Sequence, residues 1–270
     1  MKRALPLSIL VCVISAVALA LYGYFDRLLP RFAFISGWLL FAIMVILAGY
    51  NVWKKLPFLP LGSSEGWLQF HIYSGLFSVT VYLIHTRFRW PAGVFEQTLA
   101  LFYSLVTITG LFGLFISRTF PKRLTARGGE VIYEQIPFVC RKLKERAESL
   151  ALNSTRDVQT STIAQFYVTH LADFFSTPRN RFYHIVESRN PLNQLQAKIT
   201  EVNRFLNEPE RALMEKIGDF VRQKDGLDYH YALQSTLKLW LFTHIPLTYG
   251  LMLLSVLHIV FVYAFSGGAG

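Results

Sequence analysis

The sequence predicts an all-α integral membrane protein, a helical bundle with five transmembrane helices and a helical extramembrane insert. Of 270 residues, 53% are hydrophobic and only 16% are charged, whereas soluble domains average about 25% charged residues. The charged residues are concentrated in the segment 118–236, so the flanking segments contain long uncharged runs. This contrast predicts three parts: transmembrane helices one to four in residues 1–117, the insert 118–236, and transmembrane helix five in 237–270.

Five stretches are long and apolar enough to be membrane helices. A helix that rises about 1.5 Å per residue crosses a hydrocarbon core of about 30 Å in about 20 residues. The predicted spans, uncharged except for Glu96, are Ala4–Phe25, Phe32–Trp53, Trp67–Thr86, Val94–Ser117 and Leu239–Phe265. The first span has some features of a signal peptide, but its long uncharged run favours a retained anchor.

Clusters of basic residues predict the orientation of the spans. Basic residues precede span one and follow spans two and four, which places them on one side of the membrane if the spans alternate. They are Lys2, Arg3, Lys54, Lys55, Arg118, Lys122, Arg123 and Arg127. The positive-inside rule makes that side cytoplasmic. We therefore expect a bacterial inner membrane protein with its N-terminus and insert inside and its C-terminus outside.

The insert is predicted to be helical and to lack an active site of its own. Apolar residues recur at intervals of three and four in Val131–Leu152, Thr162–Phe175, Leu192–Leu206 and Glu208–Lys224. The chain contains no GxxxxGK[ST] or GxGxxG nucleotide motif. Its two cysteines are too few for a four-cysteine iron–sulfur site. The insert is therefore interpreted as a docking or capping element. The net positive charge of the chain is interpreted as a consequence of membrane topology rather than as a sign of nucleic-acid binding.

Four histidines lie inside predicted spans, and their spacing is the main functional clue. His71 and His85 are in span three, and His244 and His258 are in span five. Fourteen residues make nearly four helical turns, so each pair occupies almost one helix face with a separation of about 21 Å. Because spans three and five run in the same direction, His71 is expected level with His244, and His85 level with His258.

Ionisable groups within a membrane are costly and usually functional. Two neutral imidazoles that face each other across a bundle are suited to axial ligation of a haem iron. Gly75 lies one turn after His71, where a missing side chain would let a porphyrin edge approach the backbone. Glycines 110, 113 and 250 in spans four and five could have the same role or could simply allow close helix packing.

Other functions remain open at this point. The histidines could be hydrogen-bonded between helices for structural reasons alone. They could also be titrating relays in a transporter or proton channel. A third alternative is a membrane scaffold whose insert recruits a soluble protein.

The His-x13-His pattern in two spans resembles the di-haem cytochrome b family, the membrane electron-transfer subunits of quinone-linked respiratory complexes. The resemblance implies two haem b groups, with iron ligands His71/His244 and His85/His258. It also implies quinone as the lipid-soluble reactant and partner subunits that carry an iron–sulfur cluster, a flavin or a c-type haem. The chain would then be an electron-transfer subunit of an oxidoreductase rather than a complete enzyme.

The chain departs from that family in three respects. Its five predicted spans do not match the eight or four of the usual forms. The insert 118–236 is foreign to it, and the Pro-Glu-Trp-Tyr quinol-site motif is absent. No quinone-site residue is therefore carried over. A second resemblance, to the five-span b-type subunits of respiratory nitrate reductase and heterodisulfide reductase, rests on span count and size only.

Charged residues at the span ends are further candidates. Arg87 and Arg89 follow His85 and could bind the propionates of an outer haem, or could serve topology and lipid headgroups. Glu65 and Glu96 lie at the inner and outer mouths of the bundle. They could exchange protons with a quinone, or could be carboxylates exposed to water.

Overall fold

The computed structural model describes residues 4–25, 32–54, 64–127, 131–157 and 161–266. These residues are almost entirely helical and contain no β-strand, as the sequence predicts. Lys2, Arg3 and Lys55, on which the predicted orientation partly rests, lie outside the described residues.

Ten α-helices are described. They are α1 (Ala4–Phe25), α2 (Phe32–Lys54), α3 (Ser64–His85), α4 (Val94–Ala126), α5 (Ile136–Asp157), α6 (Thr162–Phe166), α7 (Ala172–Ser176), α8 (Arg181–Ile185), α9 (Asn190–Asn203) and α10 (Glu208–Ser266). A 3₁₀ turn at Tyr133–Gln135 precedes α5. A π-helical turn at Tyr167–Leu171 joins α6 to α7, so the single helix predicted over Thr162–Phe175 is interrupted.

The chain divides into two compact units. Unit 1 comprises Met1–Phe115 and Trp240–Gly270, and unit 2 comprises Ile116–Leu239. Two helices contribute to both units, since α4 supplies its N-terminal part to unit 1 and α10 supplies its C-terminal part.

Within the described part of the chain, four helices are long and apolar enough to cross a membrane. The candidate spans are Pro6–Tyr24 in α1, Phe32–Gly49 in α2, the whole of α4, and Glu208–Phe265 in α10. These helices are compatible with an integral membrane protein. The predicted third span, α3, is not among them, because polar side chains such as Gln69 and His71 lower its mean hydropathy.

The segment after residue 207 differs from the prediction. A separate helix over Glu208–Lys224 and a span beginning at Leu239 were expected, but α10 is one helix of 59 residues. A capping box starts it: the amide of Asn207 donates to Glu210 Oε2 at 2.7 Å, and the amide of Glu210 donates to Asn207 Oδ1 at 3.0 Å. The residues between the two predicted helices, 225–238, are also helical, because Tyr229 and Leu233 are buried one turn apart.

Unit 1 has a small core and an apolar outer surface. Its buried cluster consists of Leu40, Met44, Val81, Tyr103 and Leu251. No residue of the apolar window in α1 is buried, and large aliphatic and aromatic side chains along the helices point outward. A surface of this kind suits a lipid environment, because apolar side chains need no partner there.

Unit 2 has the opposite arrangement, with charged groups buried at its centre. The Lys224 ammonium contacts both carboxylate oxygens of Asp228, at 2.7 and 2.6 Å, and also donates to the Thr177 carbonyl. Both side chains are 1% exposed. A buried ion pair is tolerated only when its remaining hydrogen-bonding positions are satisfied, and the backbone amide of Arg179, 3.4 Å from Asp228 Oδ2, contributes to this.

Candidate functional site

The structure brings the four histidines singled out from the sequence together in two layers within unit 1. The ring centres of His85 and His258 are 6.5 Å apart, and the rings are nearly perpendicular, at 89°. His71 and His244 lie close enough to interact electrostatically. Each of α3 and α10 is continuous between its two histidines, so α3 and the C-terminal part of α10 run parallel. The layers are about 21 Å apart along the helices.

The outer layer, His85 and His258, is held against α2. His85 Nδ1 lies 3.2 Å from the Ala33 carbonyl oxygen and 3.3 Å from Ser36 Oγ. This contact occupies one ring nitrogen and leaves Nε2 as the remaining one. A second partner that fixes the ring in this way is typical of histidines that bind metal.

Glycine at position 37 allows this placement. A Cβ atom on Gly37 would lie 2.9 Å from His85 Cε1, closer than such contacts normally allow. The His85 ring therefore rests against bare backbone of α2. On the opposite side of the layer, the Phe95 ring stacks on His258 with centres 6.3 Å apart and an angle of 16°.

The inner layer, His71 and His244, has an analogous set of outward contacts. His244 Nδ1 lies 2.8 Å from Thr109 Oγ1 on α4. The His71 imidazole hydrogen-bonds the backbone of Leu47 on α2. Leu47 and Ala33 are fourteen residues apart, the same spacing as the histidines that they contact, so α2 supplies one backbone acceptor to each layer.

Trp240 stabilises the inner layer from one side. Its indole stacks on His244, with ring centres 5.7 Å apart and an angle of 24°, and its Nε1 donates to the Thr109 carbonyl at 2.8 Å. A Cβ atom on Gly113 would overlap this indole. Gly113 therefore makes room for Trp240, and a role in clearing space for a porphyrin is not needed to explain it.

A cavity of about 380 Å³ opens beside the outer layer. His85 and His258 both line it, together with Tyr82, Tyr103, Arg89 and Glu96. The volume falls in the range of about 300–1,000 Å³ typical of small-molecule sites. The two tyrosine rings stack at 4.1 Å with an angle of 13°, and the hydroxyls of Tyr103 and Ser78 are 2.9 Å apart. The wall is thus mostly apolar, with its charged groups near His85 and His258.

The other predicted residues fall in different places. Arg89 lines the cavity, whereas Arg87 is exposed and is not among the lining residues. Arg87 and Phe88 both have positive φ, 53° and 58°. The amide of Phe88 bonds the Leu83 carbonyl and that of Arg87 bonds the Ile84 carbonyl, a Schellman closure of α3. A Cβ on Gly75 would meet no atom within 4 Å, so this glycine faces open space.

Several contacting residues were missed from the sequence. Ser36, Gly37 and Thr109 lie on helices other than those of the histidines, and nothing in the local sequence marks Thr109. A glycine and a serine adjacent on an otherwise bulky span were the available signal for α2. Among the described residues, no group of three or more His, Cys, Asp or Glu side chains is arranged to hold a bare metal ion.

Comparison of the chain with family models, with curated proteins and with solved structures finds no match. The functional interpretation therefore rests on the geometry of unit 1.

Proposed function

We propose that the chain is a membrane di-haem b-type cytochrome, the electron-transfer subunit of a quinone-linked oxidoreductase. The observation that carries the proposal is the facing pair His85 and His258 at one cavity, repeated by His71 and His244 one layer away. Bound haem would supply a one-electron redox centre, which none of the amino-acid side chains here provides.

The spacing of the outer pair fits a single iron between two rings. Metal–imidazole bonds are about 2.0–2.1 Å for zinc, and iron bonds are of the same order. For ring bonds of about 1.33 Å, the nitrogen lies about 1.1 Å from the ring centre. Two such bonds and two such radii add up to about 6.3 Å, so the separation of 6.5 Å between the ring centres would leave room for one metal ion between His85 and His258.

The residues around each layer have separate roles in this proposal. The outward hydrogen bonds at Ala33, Leu47 and Thr109 hold the imidazole rings so that another nitrogen of each ring can face the centre of the layer. The apolar wall of the cavity excludes water. Arg89 at the cavity is the better placed of the two predicted arginines to pair with a carboxylate of the group.

The proposed topology has five spans, with α3 as the third. α3 packs against both α1 and α2, which are candidate spans themselves. Its polar side chains include the two histidines, and buried polar groups in a bundle are expected where a cofactor binds. Unit 2 would lie on the cytoplasmic side of a bacterial inner membrane, because Arg118, Lys122 and Arg123 follow the apolar part of α4.

The proposed electron partners are chosen from two observations: the cofactor motifs that are absent from the sequence and the apolar lining of the cavity. It has no nucleotide or four-cysteine motif, so iron–sulfur, flavin or c-type haem subunits would exchange electrons with it. The apolar cavity suits a quinone as the lipid-soluble reactant, with Glu96 placed near His258 for proton exchange.

The test is reduction by quinol of the purified full-length chain in lipid vesicles. We expect a b-type reduced-minus-oxidised spectrum that develops on addition of a soluble quinol analogue. A protein that carries b-type haem but is reduced only by dithionite would contradict the quinone assignment. A protein without any haem absorbance would contradict the cytochrome assignment itself.

A further inference from the structure

Unit 2 carries an exposed apolar surface at α8, beside the parts of α4 and α10 that belong to the same unit. We call Phe182, Tyr183 and Val186 the α8 surface; they are 71%, 45% and 52% exposed. Phe182 and Val186 lie one helical turn apart, and the Phe182 and Tyr183 rings contact each other edge to face at 6.4 Å. Adjacent exposed side chains of this size are typical of surfaces that bind a partner or a membrane.

Contacts within unit 2 hold α8 beside α4. The guanidinium of Arg123 donates to the carbonyls of His184 and Ile185, at 2.9 and 2.8 Å, and so caps the C-terminal end of α8. Its Nε also donates to Glu187 Oε1 at 2.7 Å. Arg123 follows Ser117, the end of the predicted fourth span, by six residues, about 9 Å along the helix.

A second set of contacts holds α8 beside α10. Arg181 donates to Ser235 Oγ at 2.9 Å, and its guanidinium lies over the Tyr231 ring at 5.9 Å. Ser235 precedes Leu239, the start of the predicted fifth span, by four residues, about 6 Å along the helix. The headgroup layer on each side of a bilayer is roughly 5–8 Å thick. The attachment at Ser235 falls within that layer and the attachment at Arg123 at its water-facing edge, so α8 is held near the membrane–water boundary.

The charges around α8 complement an anionic lipid surface. Arg179, Arg181 and Arg189 are all exposed. Two carboxylates lie among these cations, and each is paired: Asp173 with Arg179, and Glu187 with Arg123. The arginines therefore leave a net positive charge around α8. Tyrosine, phenylalanine and arginine side chains are favoured together where a membrane meets water.

We propose that the α8 surface inserts into the headgroup layer of the same bilayer that the apolar helices cross, with lipid phosphates bound by the surrounding arginines. This inference rests on the membrane assignment of the proposed function, but not on haem or quinone.

The chain offers a matched control for this contact. Phe205 is 82% exposed and precedes the start of α10 at Glu208, which lies 31 residues, about 46 Å, before Leu239. Phe182 and Phe205 are therefore exposed phenylalanines at opposite ends of the part of α10 in unit 2. Only Phe182 is expected to meet lipid.

The experiment uses nitroxide labels on the full-length protein in vesicles of phosphatidylcholine and phosphatidylglycerol. Single labels are placed by Phe182→Cys, Val186→Cys or Phe205→Cys after Cys12→Ala and Cys140→Ala remove the two native thiols. We expect labels at 182 and 186 to collide several-fold more with oxygen than with a water-soluble nickel chelate, relative to the label at 205. Omission of phosphatidylglycerol should reduce that difference.

Each other outcome overturns the proposal. Labels at 182 and 186 that are as accessible to nickel as the label at 205 would show that the surface faces water. Labels shielded from both reagents would show that protein covers it. A further label at Val17→Cys, an exposed position of α1, must report lipid; if it reports water, the membrane assignment has failed rather than the α8 contact alone.

Discussion

The half-buried histidines of unit 1 and the buried His184 of unit 2 have different neighbours. In unit 1 the His85 and His258 rings face each other at 6.5 Å, and the contacts of His85 Nδ1 are a backbone carbonyl and a serine hydroxyl. In unit 2, His184 Nε2 lies 3.8 Å from Asp225 Oδ1. The Lys224–Asp228 ion pair is buried nearby.

This difference separates a ligand arrangement from a structural one. Imidazoles fixed from outside by neutral acceptors and paired across a layer present two donors to a common centre. An imidazole next to Arg127 and Lys224 is held neutral by its surroundings: burial, and secondarily those two cations, lower the pKa of His184 to about 4. The contrast predicts that substitutions of the four histidines in unit 1 alter cofactor content, whereas those at His184 alter only stability.

The largest expected effect comes from removal of a layer histidine. His85→Ala and His258→Ala should each abolish the same haem, and His71→Ala and His244→Ala should each abolish the other, because one protein ligand is lost from a two-ligand site. Each variant should lose about half of the haem absorbance per polypeptide. His170→Ala, at an exposed histidine of unit 2, is the control. If His71→Ala and His258→Ala lost the same haem, the assignment of these two histidines to different layers would be wrong.

Gly37→Ala should partly displace the outer haem. The added Cβ would lie 2.9 Å from His85 Cε1, so the ring must shift. Alanine is favoured over glycine in a helix by about 1 kcal/mol, and α2 itself should not be destabilised. The readout is haem content with a redox titration of each centre. Gly23→Ala, where a Cβ meets no atom within 4 Å, should leave both centres unchanged; equal effects of the two variants would show that His85 is not involved.

Thr109→Val should alter the inner centre without removing it. The substitution keeps the side-chain shape and removes the hydroxyl that lies 2.8 Å from His244 Nδ1. Loss of such a supporting contact typically weakens a metal site about 10–100-fold. We expect a shift in one midpoint potential and none in the other. Thr98→Val on the same helix removes only a hydroxyl bonded to the Val94 carbonyl, and it should shift neither.

His184→Gln should leave the haem spectrum unchanged and should make the free energy of unfolding of unit 2 decrease less as the pH falls. In the unfolded chain this imidazole becomes protonated as the pH falls below 6.5. In the folded chain its pKa is about 4, so it becomes protonated only near pH 4. The contribution of His184 to the free energy of unfolding is therefore fully present above pH 6.5. It decreases by about 3 kcal/mol as the pH falls to 4. Pulse proteolysis of the solubilised full-length protein measures it.

The comparison of wild type with His184→Gln isolates the imidazole. Burial raises the pKa of the adjacent Asp225 carboxyl, which has the opposite effect on stability as the pH falls, and it is present in both proteins. Identical pH profiles for the two proteins would show that His184 is not held neutral by the fold. A change in haem content in His184→Gln would remove the distinction between the two units.

The sequence was sufficient to predict the features that depend on helical periodicity. The uncharged runs predict α1, α2 and α4, and the spacing of His71, His85, His244 and His258 predicts helix faces that the structure brings together. The length of α10 was not predictable, because residues 225–238 are too polar for a span, and their helicity depends on burial of Tyr229 and Leu233 in unit 2.

Contacts between helices could not be read from the sequence either. Gly37 and Thr109 contact histidines 48 and 135 residues away, so their roles depend on how α2 and α4 pack. The haem ligation and the five-span topology stay predictions.

Haem stoichiometry tests the central claim most directly. Purified full-length protein, treated with alkaline pyridine and dithionite, should give the b-type haemochrome spectrum and two haems per polypeptide, all extractable with acid–acetone because the chain has no CxxCH motif. A folded chain with one haem would contradict the equivalence of the two histidine layers. A folded chain with none would contradict the proposal that the histidines of unit 1 are haem ligands.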